Sequence, residues 1–403
     1  MPLLLIYPIV YSLFFIFTKN KKQHLFALSF IGLYILAGVA ACQIHGTMDY
    51  TRDVYLSAII FHCIMSLLLL LPLVKIRETA IKDVARVDPF ILRSLAFVII
   101  VSSLIKIASD IPNVNFALML KNVHELRTDL VAGTFIEKNI FIRYVNFFAG
   151  GYWSVALVLA FYYMKYHPQR KLVILLLLIS SLSVIVSGFV VAAREYLLKY
   201  IMLLGILTIA FFPALNNSWK SRLRRFLILS LLAFGAFFVI ITLLRFGEGS
   251  GSNSSAIDSV LSYLGQGQVN FSQVYHLFPD GLTGGRIKFP IFVGESLSAF
   301  NLNDVFYVDY QLNTFSTTIG CWIIEVGIFV TVLITILHYF IFRHVAKSKM
   351  TIFTLIYILW IYDFMFSSVF FYNENLNGSR VVAILFIVFL DFFSSRIRFA
   401  TGR

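Results

Sequence analysis

The chain has 403 residues, 59% of them hydrophobic and only 13% charged, with a mean hydropathy of +0.86. A soluble protein is about 45–50% apolar and about 25% charged, so a water-soluble globular class is excluded and lipid is the expected solvent. The net charge of +13 would suggest nucleic acid in a soluble chain. Here the basic residues fill short gaps between apolar runs, where they report topology, and no nucleic-acid partner is expected.

A bilayer core takes about 20 mostly apolar residues per helix. Apolar runs of that kind fall at 2–18, 25–42, 56–74, 91–108, 141–163, 172–192, 197–215, 226–244, 317–342, 351–371 and 381–395. The expected fold is therefore an all-α polytopic membrane protein of about 11 transmembrane helices, with residues 1–403 forming a single integral membrane domain. The first run starts at once with no basic segment before it, so no cleavable signal peptide is expected.

The connections alternate in charge. One set carries Lys19, Lys21 and Lys22, then Lys75 to Arg86, then Lys165, Arg170 and Lys171, then Lys220 to Arg225, then Arg343 to Lys349, and finally Arg396 to Arg403. These hold most of the basic residues and are expected to be cytoplasmic, which puts the amino terminus outside and the carboxyl terminus inside. The opposite connections are longer, at 43–55, 109–140, 193–196, 245–316 and 372–380. The large extracytoplasmic loop at 245–316, between the eighth and ninth spans, is rich in aromatics, and the 109–140 loop is the second longest. Loops beyond about 12–15 residues are usually functional or disordered, so function is sought there.

Arginines gather on that outer side. Arg194 lies between two spans with almost no loop, Arg245 ends the eighth, Arg286 and Lys288 sit in the large loop, and Arg380 opens the last span. Arg127 and Arg143 belong to the 109–140 loop and its exit. A guanidinium fork matches phosphate oxygens, so the set suits an anionic lipid headgroup. Each arginine alone could equally snorkel or pair locally, Arg194 with Glu195 and Arg245 with Glu248.

Outer-side proton-transfer candidates include His276, the large loop's single histidine, and Glu295, a carboxylate in an apolar stretch where burial would raise its pKa. Glu325 and Asp363 lie within spans and could line a polar path or bond a neighbouring helix. Carboxamides at Gln266, Gln268, Asn270 and Asn313, interleaved with aromatics such as Tyr263, suit sugar hydroxyls and C–H faces. Aromatics at a membrane interface also serve as anchors.

Cys42, Cys63 and Cys321 show no metal or redox spacing and read as packing residues. No GxxxxGK[ST] or HExxH motif is present, and neither metal nor cofactor is expected.

Three stretches carry a resemblance. They are Ser187 to Tyr196 with Arg194, the run from Tyr263-Leu-Gly-Gln-Gly-Gln-Val-Asn270-Phe271 to Gly284-Gly285-Arg286 and Phe289-Pro290, and Asn313-Thr314-Phe315 leading to Glu325-Val-Gly327. Over roughly residues 90–395 the layout resembles the bacterial oligosaccharide repeat-unit polymerases, the O-antigen and capsular polysaccharide polymerases of the Wzy type. That resemblance implies a metal-independent glycosyltransferase of the bacterial inner membrane. Its substrates would be oligosaccharides on undecaprenyl diphosphate in the outer leaflet, and a chain-length regulator is an implied partner. It also implies catalytic roles for Arg194, Arg286, Glu295 and His276, with Arg245, Lys288, Arg127, Arg380, Asn313 and Tyr263 binding substrate.

Three other classes compete. A ligase joining finished glycan to a lipid core would have the same broad shape. A flippase or other transporter would place polar groups near the midplane and often show repeats or broken helices. No repeat is visible, and polar residues crowd the outer connections. A membrane acyltransferase would expose clustered histidines, and the eight here form no cluster.

Overall fold

The computed structural model describes residues 2–18, 24–45, 53–76, 81, 83–114, 145, 149, 151–190, 194–246, 256–285, 317–370 and 383–393. Within them the regular structure is helical throughout. The helices are α1 (Ile6–Thr18), α2 (Leu25–Ile44), α3 (Leu56–Leu70), α4 (Pro89–Asp110), α5 (Trp153–Tyr166), α6 (Lys171–Ser181), α7 (Ser183–Val190), α8 (Arg194–Phe211) and α9 (Asn217–Phe246). They continue with α10 (Ala256–Leu277), α11 (Thr318–Lys347), α12 (Ile352–Phe370) and α13 (Ala383–Phe393).

Among the described residues seven segments are long and apolar enough to cross a membrane, α6 and α7 counting together as one of them. Helices α1 and α13 are shorter apolar segments at the expected first and last spans. The protein is thus an all-α membrane protein. One helix lies where no span was expected: α10 occupies 22 residues of the stretch read as the large loop.

Local chemistry sets the helix ends. Asp88 caps α4, its carboxylate accepting from Phe90 N at 2.8 Å and Ile91 N at 3.4 Å, with Pro89 in the first turn. Asn216 Oδ1 accepts from Trp219 N at 2.9 Å and so caps α9. Thr317 caps α11 through Gly320 N at 3.3 Å.

The chain divides into two compact units. Unit 1 holds residues 1–78, 254–348 and 361–377, and unit 2 holds 79–253, 349–360 and 378–403. In unit 2, α5 is the central element, packed by α4, α6 and α8. Every residue from Trp153 to Met164 is buried, as expected of a helix apolar on all sides.

Four of the basic connections meet at one end of unit 2. Ala85 N donates to Met350 O at 3.0 Å, Tyr166 OH donates to Val84 O, and Trp219 Nε1 donates to Pro168 O at 3.3 Å. These bonds join the connections before α4, after α5 and before α12 to the first turn of α9, a helix that takes in the basic run from Lys220 to Arg225; the charge alternation had assigned all four to one side.

In unit 1, α10 packs against α2, α3 and α11, with α1 on α2 and α11 on α3. The crossing of α10 over α2 is close. A Cβ at Gly265 would overlap the backbone N of Ala41 and lie 2.6 Å from Ala40 C, so only glycine fits there. Small residues let helix backbones approach in this way in membranes.

Candidate functional site: the polar interior of unit 1

The middle of α10, from Gly265 to Ser272, is buried on all sides, yet half of it is polar. Gln266, Gln268, Asn270 and Ser272 are all at most 6% exposed. Ser272 Oγ accepts from Tyr55 N at 2.7 Å. No hydrogen bond reaches Gln268 Oε1 among the described residues, and an orphaned buried acceptor costs about 1–3 kcal/mol.

His62 of α3, 1% exposed, also lies in this interior. Its ring is 4.6 Å from that of Phe271 on α10 and edge-on to Tyr7 at 5.3 Å. Its Nε2 hydrogen-bonds Thr317 Oγ1 at 3.1 Å, and its Nδ1 lies 3.5 Å from Tyr11 OH. The hydroxyls of Tyr7 and Thr318 are buried without a hydrogen bond among the described residues. His62 of α3 thus hydrogen-bonds the start of α11 and lies against Phe271 of α10, inside an apolar body.

Helix α11 is broken. Gly327 has φ 78° and ψ 174°, a left-handed conformation suited to glycine. The break is sharp, because the rings of Trp322 and His338 lie 4.9 Å apart. Residues that far apart on a straight helix would be separated by roughly 24 Å. The first part of α11 is thus a half-helix ending near Glu325, and the second part is the long apolar segment.

The stretch 279–285 docks on this break and uses the backbone groups it frees. Ile328 N donates to Pro279 O at 2.8 Å, Leu282 N to Ile324 O at 2.6 Å and Gly285 N to Glu325 O at 3.1 Å. Gly281, at φ 84°, meets Gly327 back to back, and a Cβ on Gly281 would lie 2.7 Å from Gly327 N. Irregular backbone at membrane depth is tolerated where protein satisfies it. The Glu325 carboxylate, 2% exposed, accepts from Thr283 Oγ1 at 2.6 Å.

Of the residues given catalytic or binding roles from sequence, Tyr263 and His276 are described in unit 1. Tyr263 lies half-buried on α10. His276 is exposed in its last turn, 3.9 Å from the Tyr55 ring and 5.4 Å from that of Tyr275. Arg194 opens α8 and Arg245 lies in the last turn of α9, both in unit 2. Arg127, Arg286, Lys288, Glu295, Asn313 and Arg380 lie outside the described residues.

Glu325, Asp363, Gln266, Gln268 and Asn270, also noted from sequence, are all buried in unit 1. Sequence reasoning missed His62, Tyr7, Thr317 and the Gly281–Gly327 crossing. A histidine amid the apolar run Phe61-His62-Cys63 and a glycine two residues after Glu325 were the available signals. Among the described residues no group of three His, Cys, Asp or Glu side chains could hold a metal. Comparison with protein-family models, with curated proteins and with solved structures gives no match.

Proposed function

We propose that this protein is a membrane glycosyltransferase that polymerises oligosaccharide repeat units carried on undecaprenyl diphosphate, at the outer leaflet of the bacterial inner membrane. The observation that carries the reading is α10. It comes from a stretch that resembles the polymerases' large outer loop, and it buries Gln266, Gln268 and Asn270, with the carboxamide oxygen of Gln268 unpartnered among the described residues. Buried carboxamides around an orphan acceptor suit a ligand rich in hydroxyls.

In this scheme a hydroxyl of the incoming unit attacks the anomeric carbon of the growing chain. The bond from that carbon to the diphosphate breaks, and undecaprenyl diphosphate leaves with the electron pair. Arg194 and Arg286 stabilise the developing charge, while Glu295 or His276 takes the hydroxyl proton. Arg245, Lys288, Arg127, Arg380, Asn313 and Tyr263 hold the two substrates.

A second reading is a transporter of lipid-linked oligosaccharide. The broken helix α11, with Glu325 beside the break and polar side chains around it, supports that reading, since transporters build sites from such discontinuous helices.

The test is the length of surface glycan on a gel, in a strain deleted for this gene and complemented with wild type, Arg194→Ala, Arg286→Ala or Lys288→Ala at matched expression. The polymerase reading expects a lost ladder, with one repeat unit still attached to its acceptor, and no rescue by the arginine variants. Polymer accumulating on the lipid carrier would instead indicate a ligase. Loss of all surface glycan with unpolymerised lipid-linked repeat units held on the cytoplasmic side would indicate the transporter, and an unchanged ladder overturns all three readings.

A further inference from the structure

A second polar feature lies at the basic end of unit 2, and its lining includes no residue given a role in the proposed function. A notch there is lined by Pro89, Leu92 and Arg93 at the start of α4 and by Tyr163, His167 and Arg170 at the end of α5 and in its connection to α6. Among the described residues no carboxylate pairs with either lining guanidinium. The nearest acid in sequence, Asp88, is occupied in capping α4. The surroundings add more positive charge, with Arg86 5.4 Å and Lys165 4.4 Å from the Tyr166 ring centroid. His167 senses this field. Burial first, then Arg170, Arg86 and Arg93, hold its pKa below the ordinary histidine value, so at neutral pH the ring is uncharged.

Two exposed guanidiniums, Arg93 and Arg170, with no carboxylate partner among the described residues, suit an anion, and the rim indicates its source. Phe90 and Phe97, one face of α4, are 76% and 68% exposed, and Leu172 and Leu175 on α6 are 68% and 53% exposed. The basic notch therefore sits where lipid-facing apolar stripes begin, as a headgroup site with acyl chains running along the helices requires.

We propose that the notch formed by Arg93, Tyr163, His167 and Arg170 binds the phosphate of an anionic phospholipid. The two guanidiniums engage the phosphate oxygens in fork geometry, and the chains lie against α4 and α6. The site is independent of the glycan chemistry.

The test uses purified full-length protein in a neutral detergent. Thermal unfolding and native mass spectrometry are followed with phosphatidylglycerol, phosphatidylcholine or inorganic phosphate added. Phosphatidylglycerol is expected to stay bound and raise the unfolding temperature, and phosphatidylcholine to do neither. Arg93→Gln/Arg170→Gln is expected to weaken phosphatidylglycerol binding about tenfold or more, on the usual scale of a charged hydrogen bond. A control of equal charge change, Lys347→Gln/Lys349→Gln, is expected to leave it unchanged.

If the glutamine double variant does not fold, Arg93→Lys/Arg170→Lys serves in its place. It keeps the charge, loses the fork and is expected to bind at intermediate strength. Equal retention of the two lipids, or undiminished binding by the arginine variants, overturns the proposal. Inorganic phosphate that stabilises as well as phosphatidylglycerol, through the same arginines, overturns the lipid source and leaves a site for a soluble phosphate.

Discussion

At the scale of single residues, two glycines decide whether the break in α11 exists. Gly327 and Gly281 both hold positive φ, and each lacks room for a side chain. A Cβ on Gly327 would lie 2.7 Å from Asp280 C and from Pro279 O, backbone atoms that cannot swing aside. Gly284 isolates the conformational part of that cost, because its φ is +60° but nothing lies within 4 Å of its Cβ position. Alanine at Gly284 should cost about 1–2 kcal/mol for the left-handed backbone alone. At Gly327, whose ψ of 174° puts it in a region essentially confined to glycine, a conformational cost at least as large adds to a collision that must push the 279–285 stretch off α11, so Gly327→Ala should lower the unfolding temperature in detergent by clearly more than Gly284→Ala. Equal losses from the two would mean that the close crossing contributes nothing to stability.

At the scale of the element, α10 explains why part of the site was visible in sequence and part was not. The residue types were legible: Gln266, Gln268 and Asn270 stood out as sugar-suited groups. Their burial was not, because a helix with so many carboxamides fails the hydropathy test for a span and reads as loop. It is buried because α2, α3 and α11 surround it and because Gly265 lets it press onto Ala41. These are tertiary facts that no local window carries. The orphan at Gln268 yields a prediction on this element. Gln268→Leu removes a buried, unsatisfied acceptor and should leave stability unchanged or raise it by about 1 kcal/mol. If the carboxamide is kept for a ligand, the same variant should lose the long glycan ladder, the usual opposition between stability and function. A destabilised variant would show that Gln268 holds the helix in place, and a stable variant with a full ladder would remove it from the site.

At the scale of the whole molecule, most helices were legible because lipid demands long apolar runs and charge marks their ends. The bend at Gly327 was not, since the run 317–342 is apolar on both sides of it and hydropathy has no direction. Sidedness is the remaining expectation that chemistry can check. The connections before α4, after α5 and before α12 and the first turn of α9 share one end of unit 2 through their own hydrogen bonds, so they must all be reached from the same side. Cys42, Cys63 and Cys321 are buried and should react slowly with a bulky, membrane-impermeant maleimide. Single cysteines can therefore be read against a low background. By the positive-inside rule, Lys220→Cys in intact cells should be labelled only after the membrane is permeabilised. Asn113→Cys, on the expected outer side just after α4, should be labelled at once. The reversed pattern would invert the topology and place the notch of Arg93 and Arg170 on the outer face. Labelling of both in intact cells would break the charge alternation itself, and with it the assignment of the long connections to the side where the lipid-linked glycan is expected.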